Sequence, residues 1–155
     1  MRNKMRILVT GVKGQLGYDV VNEMEKRGLE AVGVDVEEMD ITDKAACEKV
    51  ITESKVDAVI HCAAWTAVDL AEEEDNVAKV RVINATGTQN IASVCKDLNC
   101  KMVYISTDYV FHGLGETPWQ PDCKDYKPLN VYGQTKLEGE LAVANTLEKF
   151  FIVCQ

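Results

Sequence analysis

The sequence predicts an α/β fold built on a doubly wound parallel sheet. Three observations predict it. Short β-rich apolar runs alternate with segments of helical periodicity along the whole chain, and such alternation implies parallel βαβ units. Three glycines, Gly11, Gly14 and Gly17, follow the first apolar run and open the first helical segment. No internal repeat or linker interrupts the pattern before a fifth apolar run at Phe150–Cys154.

Met5–Thr10 is a short apolar run ending in glycine and predicts a buried strand. From Gln15 to Lys26, apolar residues recur at Leu16, Val20, Val21 and Met24, which is helical spacing, and Gly28 closes the helix. Glu30–Val34 predicts the second strand. Asp35 to Asp40 is too short for a helix, and Thr42 or Asp43 caps the next one, which runs to about Ser54. Asp57–Cys62 predicts the third strand, Asn76–Leu98 a long helix, and Lys101–Ser106 the fourth strand. A loop rich in Gly, Pro and Asp covers His112–Leu129, and Gly133–Asn145 predicts the last helix. A doubly wound sheet ordinarily carries more strands than five. The reading therefore expects one domain over residues 1–155, cut short after the fifth strand.

Composition narrows the function. At 155 residues the chain is long enough for one proper core. Its net charge of −8 repels phosphate backbones and anionic lipid, so neither nucleic acid nor a membrane surface is expected as partner. No run reaches the ~20 apolar residues of a membrane span. The short apolar stretch after Met1 leads straight into a glycine turn, unlike a signal peptide. A cytoplasmic protein is expected. The six cysteines form no CxxC pair and the chain has two histidines, so free thiols are expected rather than a zinc site.

The glycine turn carries the first chemistry. In a strand–turn–helix context, Gly11 permits the tight turn, Gly14 lets backbone approach a pyrophosphate, and Gly17 allows close helix–sheet packing. Free N–H groups at the helix N-terminus then meet the phosphate. Asp35 follows the second strand, where a carboxylate accepts hydrogen bonds from the adenosine ribose and repels a 2′-phosphate, favouring NAD(H). Arg2, Lys4 and Lys13 are available phosphate partners, which keeps NADP(H) open.

Tyr132-Gly-Gln-Thr-Lys136 places a phenol and an ammonium at i and i+4, on one helix face. A tyrosine has a free pKa of ~10 and needs help to act near neutral pH. A nearby ammonium would stabilise its phenolate. Ser106-Thr107-Asp108 follows a strand about 25 residues earlier. Thr107, Tyr132 and Lys136 together supply a carbonyl anchor, an acid and its activator.

The combination of GVKGQLG, DIT, HCAAWTAVD, STDYVF and NVYGQTKLEGE resembles the extended short-chain dehydrogenase/reductases, and within them the dTDP-4-dehydrorhamnose reductase group. The resemblance runs from Met5 to about Val153. It implies a Rossmann-like domain that binds NADP(H) or NAD(H) and a dTDP-4-keto-6-deoxy sugar as partner. By resemblance, Gly14, Gln15 and Leu16 line the pyrophosphate turn, Asp35 faces the adenosine ribose, and Asp40 and Ile41 flank the adenine. Ala63, Ala64 and Trp65 pass under the cofactor, Thr107 and Asp108 touch the sugar, and Tyr132 donates a proton with Lys136 as its partner. Ala63 and Ala64 also read as small residues at a strand end, and Trp65 as a packing aromatic. Some relatives hold Mg²⁺ at a subunit contact. Asp19 is a loose candidate for such a ligand and is not assigned. A homodimer stays open. Two further readings stand beside the reductase: a non-catalytic regulatory subunit like that of methionine adenosyltransferase, and another nucleotide-sugar epimerase or reductase. Cys154-Gln155 departs from the family pattern, which continues with an arginine.

Overall fold

A computed structural model describes residues 4–155; the phosphate partner expected at Arg2 lies outside them. The five predicted strands form as β1 (Arg6–Thr10), β2 (Glu30–Val34), β3 (Ala58–His61), β4 (Lys101–Ser106) and β5 (Phe150–Cys154). They make one sheet in the order β2-β1-β3-β4-β5, every neighbouring pair parallel. Leu8 of β1 lies in register between Val32 of β2 and Val59 of β3.

Successive side chains of a strand face opposite sides of its sheet, and both sides of this one are covered. Ile7, Val9 and Ala58 pack with Val20, Val21 and Met24 of α1 (Gln15–Lys26) on one face. Leu8, Val59, Met102 and Tyr104 face the other way, against α2 (Lys44–Ser54), α5 (Thr88–Asp97) and α6 (Val131–Thr146). This second cluster is the larger core, with Ile51, Ile91 and Val143 fully buried. On β5, Phe150 and Ile152 join it, while Phe151 and Val153 on the opposite face stay exposed at 68% and 47%.

Caps fix the helix starts. Asp43, not Thr42, accepts from the amides of Ala45 and Ala46 at the head of α2. Asn130 accepts from the Gly133 amide at 2.7 Å, so α6 starts two residues earlier than its apolar pattern suggests. Two features differ from expectation. The TAVD segment holds a single helical turn, α3 (Val68–Ala71), too short for periodicity to reveal. The long helix is continuous but not uniform: α4 (Glu74–Arg81) passes into a π-helical stretch, Val82–Gly87, before α5. That stretch reads Val-Ile-Asn-Ala-Thr-Gly, mostly poor α-formers. The wider turn seats Asn84 inward, where it is 1% exposed.

The strand order sets the position of the site. The chain moves from β1 outward to β2, then returns to the other side of β1 for β3. Connections leaving β1 and β3 therefore diverge, and a crevice opens at the carboxyl ends of these two strands.

Candidate functional site: a groove along the carboxyl ends of the strands

Three adjoining cavities follow that crevice. The first, about 520 Å³, is mainly apolar and lies between the ends of β1 and β2 and helix α4; Met39, Ile41, Val82 and Ile83 wall it, with Asp40 at its side. The second, about 610 Å³, is lined by the glycine turn, including Gly14, Gln15, Leu16 and Gly17. Gly11, Asp35, Ala63 and Ala64 line both, so the two are continuous. The third, about 190 Å³, holds Thr107, Tyr132 and Lys136 and shares Leu16, Cys62, Ala64 and Thr66 with the second.

The glycine turn leaves no room for side chains where it meets β3. Gly11 has φ +70°, and a Cβ there would sit 2.8 Å from the Ala63 amide nitrogen. A Cβ on Gly17 would collide with the Gly11 carbonyl. Gly14 is the N-cap of α1 and lacks a capping side chain, so the first-turn amides of the helix open toward the second cavity. This is a cradle that backbone forms and a Cβ would fill, and it fits a dinucleotide pyrophosphate.

Asp35 stands where the first two cavities meet. Its carboxylate accepts from the amides of Lys13 (2.9 Å) and Val36 (2.9 Å), which fixes its direction. Lys13 lines the second cavity, but its ammonium is paired with Glu37 at 2.6 Å, and that partner raises the lysine above its ordinary pKa. Lys4 precedes β1 at the amino edge of the sheet, the end opposite the groove, and is not a phosphate partner.

At the other end, burial pushes the half-buried Tyr132 phenol above its ordinary pKa, and the adjoining Thr107 hydroxyl pulls it partly back. Lys136 is 3% exposed, and burial drives its ammonium down to about 8. Its Nζ donates to the Ile105 carbonyl at 2.6 Å and sits 4.4 Å over the Tyr104 ring. The expected partnership of ammonium and phenolate is thus not the resting arrangement: carbonyl and ring, supplied by β4, satisfy the cation instead. Thr107 accepts from the Tyr109 amide at 3.3 Å. Asp108 lies exposed on the rim and outside the third cavity.

A buried polar chain joins the two ends. The Cys62 and Ala63 amides donate to the Thr10 hydroxyl at 3.1 and 3.0 Å. That hydroxyl's own proton points to His61 Nδ1 at 2.8 Å. His61 Nε2–H then donates to Thr88 at 3.0 Å, and Thr88 donates to the Asn84 carbonyl at 2.7 Å. The Asn84 side chain donates to Thr135, whose hydroxyl donates to the Tyr132 carbonyl. One direction of donation runs through all these groups only if His61 is neutral. Burial agrees, holding His61 down to about 3.

Trp65 lines none of the three cavities. Asn84 accepts from its amide at 2.8 Å, its indole donates to the Ala67 carbonyl, and Lys79 lies over its ring, so the side chain packs beside the groove. Asp19 lines the second cavity, but no metal-holding cluster occurs among the described residues. Sequence reasoning missed Thr66, Lys79, Val82 and Ile83, which reach the groove through chain crossings without a local pattern. It also missed Glu140, although Tyr132, Lys136 and Glu140 repeat at i, i+4 and i+8.

A parallel sheet with a glycine turn at its switch point and one continuous groove across its carboxyl ends defines a Rossmann-like nucleotide-binding unit. Within that class the chain belongs to the family described as the RmlD substrate binding domain, whose model matches residues 5–154. It is 39% identical over 142 residues to a dTDP-4-dehydrorhamnose reductase of Streptomyces griseus, covering 92% of this chain and 46% of that one. Among solved structures it is similar to a dTDP-4-dehydrorhamnose reductase of Clostridium acetobutylicum, with TM-score 0.91 and 39% identity over 97% of this chain and 52% of the other. It is also similar to the Bacillus anthracis dTDP-4-dehydrorhamnose reductase in complex with NADP, with TM-score 0.88 and 37% identity over 97% and 53%. The chain spans about half the length of the relatives it matches. No helix among the described residues is long and apolar enough to cross a membrane.

Proposed function

We propose that this chain is the cofactor-binding part of a cytoplasmic, NAD(P)H-dependent reductase that converts the 4-keto group of dTDP-4-dehydro-L-rhamnose to the alcohol of dTDP-L-rhamnose. The observation that carries the reading is the groove itself: an apolar slot beside Asp35 leads through a backbone cradle to Thr107, Tyr132 and Lys136.

In this reading the nicotinamide, when bound, supplies hydride to the sugar carbonyl carbon. The chain's residues do the rest. The first-turn amides after Gly14 hold the pyrophosphate, Asp35 accepts from the adenosine ribose, and Ile41 and Asp40 flank the adenine. The Thr107 hydroxyl orients the carbonyl, with Asp108 toward the sugar from the rim. Tyr132 passes its phenolic proton to the oxygen as it gains charge. Lys136, charged below about pH 8, leaves the Ile105 carbonyl to hold the nicotinamide ribose and the phenolate. In the same reading NADH binds at least as tightly as NADPH, a preference supported by the pairing of the Lys13 ammonium with Glu37 and by the Asp35 carboxylate where the first two cavities meet.

Calorimetric titration of this chain with NADH tests the cofactor half of the reading. Oxidation of NADH by a chain of the relatives' full length, with the dTDP-4-keto sugar, tests the rest. Binding without sugar reduction would leave a nucleotide-binding regulator in its place. No binding of either dinucleotide would overturn the reading altogether.

A further inference from the structure

The strongest group that the proposed chemistry leaves unused is a carboxylate. Glu140 is 4% exposed on α6, one turn past Lys136 and two past Tyr132. Residues at i, i+4 and i+8 stack on one face of a helix, so the three side chains form a stripe against β4. The Ser106 hydroxyl at the end of β4 donates to the Glu140 carboxylate, and the Tyr126 hydroxyl from the preceding loop adjoins it. A buried carboxylate is costly unless hydrogen-bonded and balanced by charge.

The surroundings of Lys136 show what Glu140 balances. Its ammonium contacts the Tyr104 ring and the Ile105 carbonyl from β4; Cys62 from the end of β3 and Tyr132 from α6 line the same cavity, and Cys154 of β5 and Glu140 of α6 act on it by charge from further off. His61 is near and neutral. The thiols of Cys62 and Cys154 are pushed up by burial and stay protonated. Burial raises the Glu140 carboxyl above its ordinary pKa, and the Ser106 and Tyr126 hydroxyls and the Lys136 charge pull it back; among the described residues it is the carboxylate that acts on the Lys136 ammonium. The two make no contact ion pair, since each has its own hydrogen-bond partners; the attraction acts across a gap in a water-poor interior, where screening is weak.

We propose that Glu140 is a positioning residue of the Tyr132–Lys136 site, a fixed buried counter-charge that keeps the Lys136 ammonium charged and seated under β4. The role deepens the reductase reading and rests on it for its purpose, since a neutral Lys136 would neither hold a ribose nor favour a phenolate. The charge relation itself exists without any cofactor.

The test follows the Lys136 side-chain nitrogen by NMR in this chain, labelled with ¹⁵N-lysine and assigned with Lys136→Met. Glu140→Gln keeps the shape and an acceptor for Ser106 but removes the charge. The Lys136 midpoint should fall by about one pH unit, the low end of what loss of a neighbouring opposite charge produces. Glu140→Asp should recover part of it. An unmoved midpoint in a folded Glu140→Gln chain overturns the proposal. If that variant does not fold, the wild type decides: the Glu140 carboxyl carbon should show an inflection as Lys136 loses its proton, and a flat trace across that range overturns it. In the full-length protein, Glu140→Gln should move the alkaline limb of turnover downward by the same interval. A shifted lysine with no sugar reduction by the wild type would retain the counter-charge and discard the reductase reading.

Discussion

The two ends of the groove are built on different principles. At the Asp35 end, the walls are apolar side chains and open amides, and the ion pair between Lys13 and Glu37 is solvent-exposed. At the Tyr132 end, an ammonium, a carboxylate, a phenol and a hydroxyl are gathered in a mostly buried cluster around a cavity a third the size. Shape is the working quantity at the first end, charge state at the second. Substitutions should therefore separate cofactor affinity from chemistry.

The largest effect is expected at the charged end. Tyr132→Phe in a full-length chain should lower turnover by ~10²–10⁴-fold while NADH titrations stay within about twofold. Equal losses in both measurements would erase the contrast. Gly17→Ala should act at the other end. Its new methyl meets the Gly11 carbonyl, and overpacking of this kind costs ~1–3 kcal/mol. Thermal melts should show the lower stability, and calorimetry should show NADH binding weakened by at least about tenfold. Normal NADH binding in this variant would mean that the turn is not the phosphate cradle.

The polar chain between the ends makes the next prediction. His61 has a folded pKa of about 3, below its ordinary value of 6.5. Between these values the unfolded chain binds a proton that the folded chain refuses, so stability is lost as pH falls through this window. The slope approaches ~1.4 kcal/mol per pH unit for one proton. Urea melts at pH 7, 5.5 and 4.5 should show the wild type losing ~2–3 kcal/mol more than His61→Asn across that range. Parallel curves would show that His61 titrates freely. The smallest effect concerns Asp35. Asp35→Ala should shift the NADPH-to-NADH affinity ratio upward by about fivefold, or ~1 kcal/mol, as befits one partly exposed charge. A ratio that does not move would place the adenosine ribose away from this carboxylate.

The same contrast governs what can be read from sequence. Spacings within one element are legible: the glycine turn, the Tyr132–Lys136 pair and all five strands follow from local patterns. The start of the long helix is legible to within two residues, yet its π-helical stretch is not, because the wider turn is stabilised by Asn84 bonding to Trp65 and Thr135, contacts 19 and 51 residues away. The direction of the Trp65 ring escapes for the same reason, since only packing against α4 sets it. The resting partner of Lys136 is equally hidden, since the Ile105 carbonyl belongs to a strand 31 residues distant. Charge seating is a three-dimensional property, and sequence lists the charges without their neighbours.

The π-helical stretch makes α4 and α5 two rotors on one shaft. An extra residue in a turn offsets every downstream side chain by roughly 100°, the angular step of one α-helical residue. Ala78 and Val82 line the apolar slot beside Asp35, whereas Ile91, Ala92 and Cys95 meet the main core; the offset lets one rod serve both faces at once. Removal of one residue from Val82–Gly87 would let the backbone revert to regular α-helix without a break in the chain. The two faces would then fall out of phase, and either the slot or the core would lose its wall.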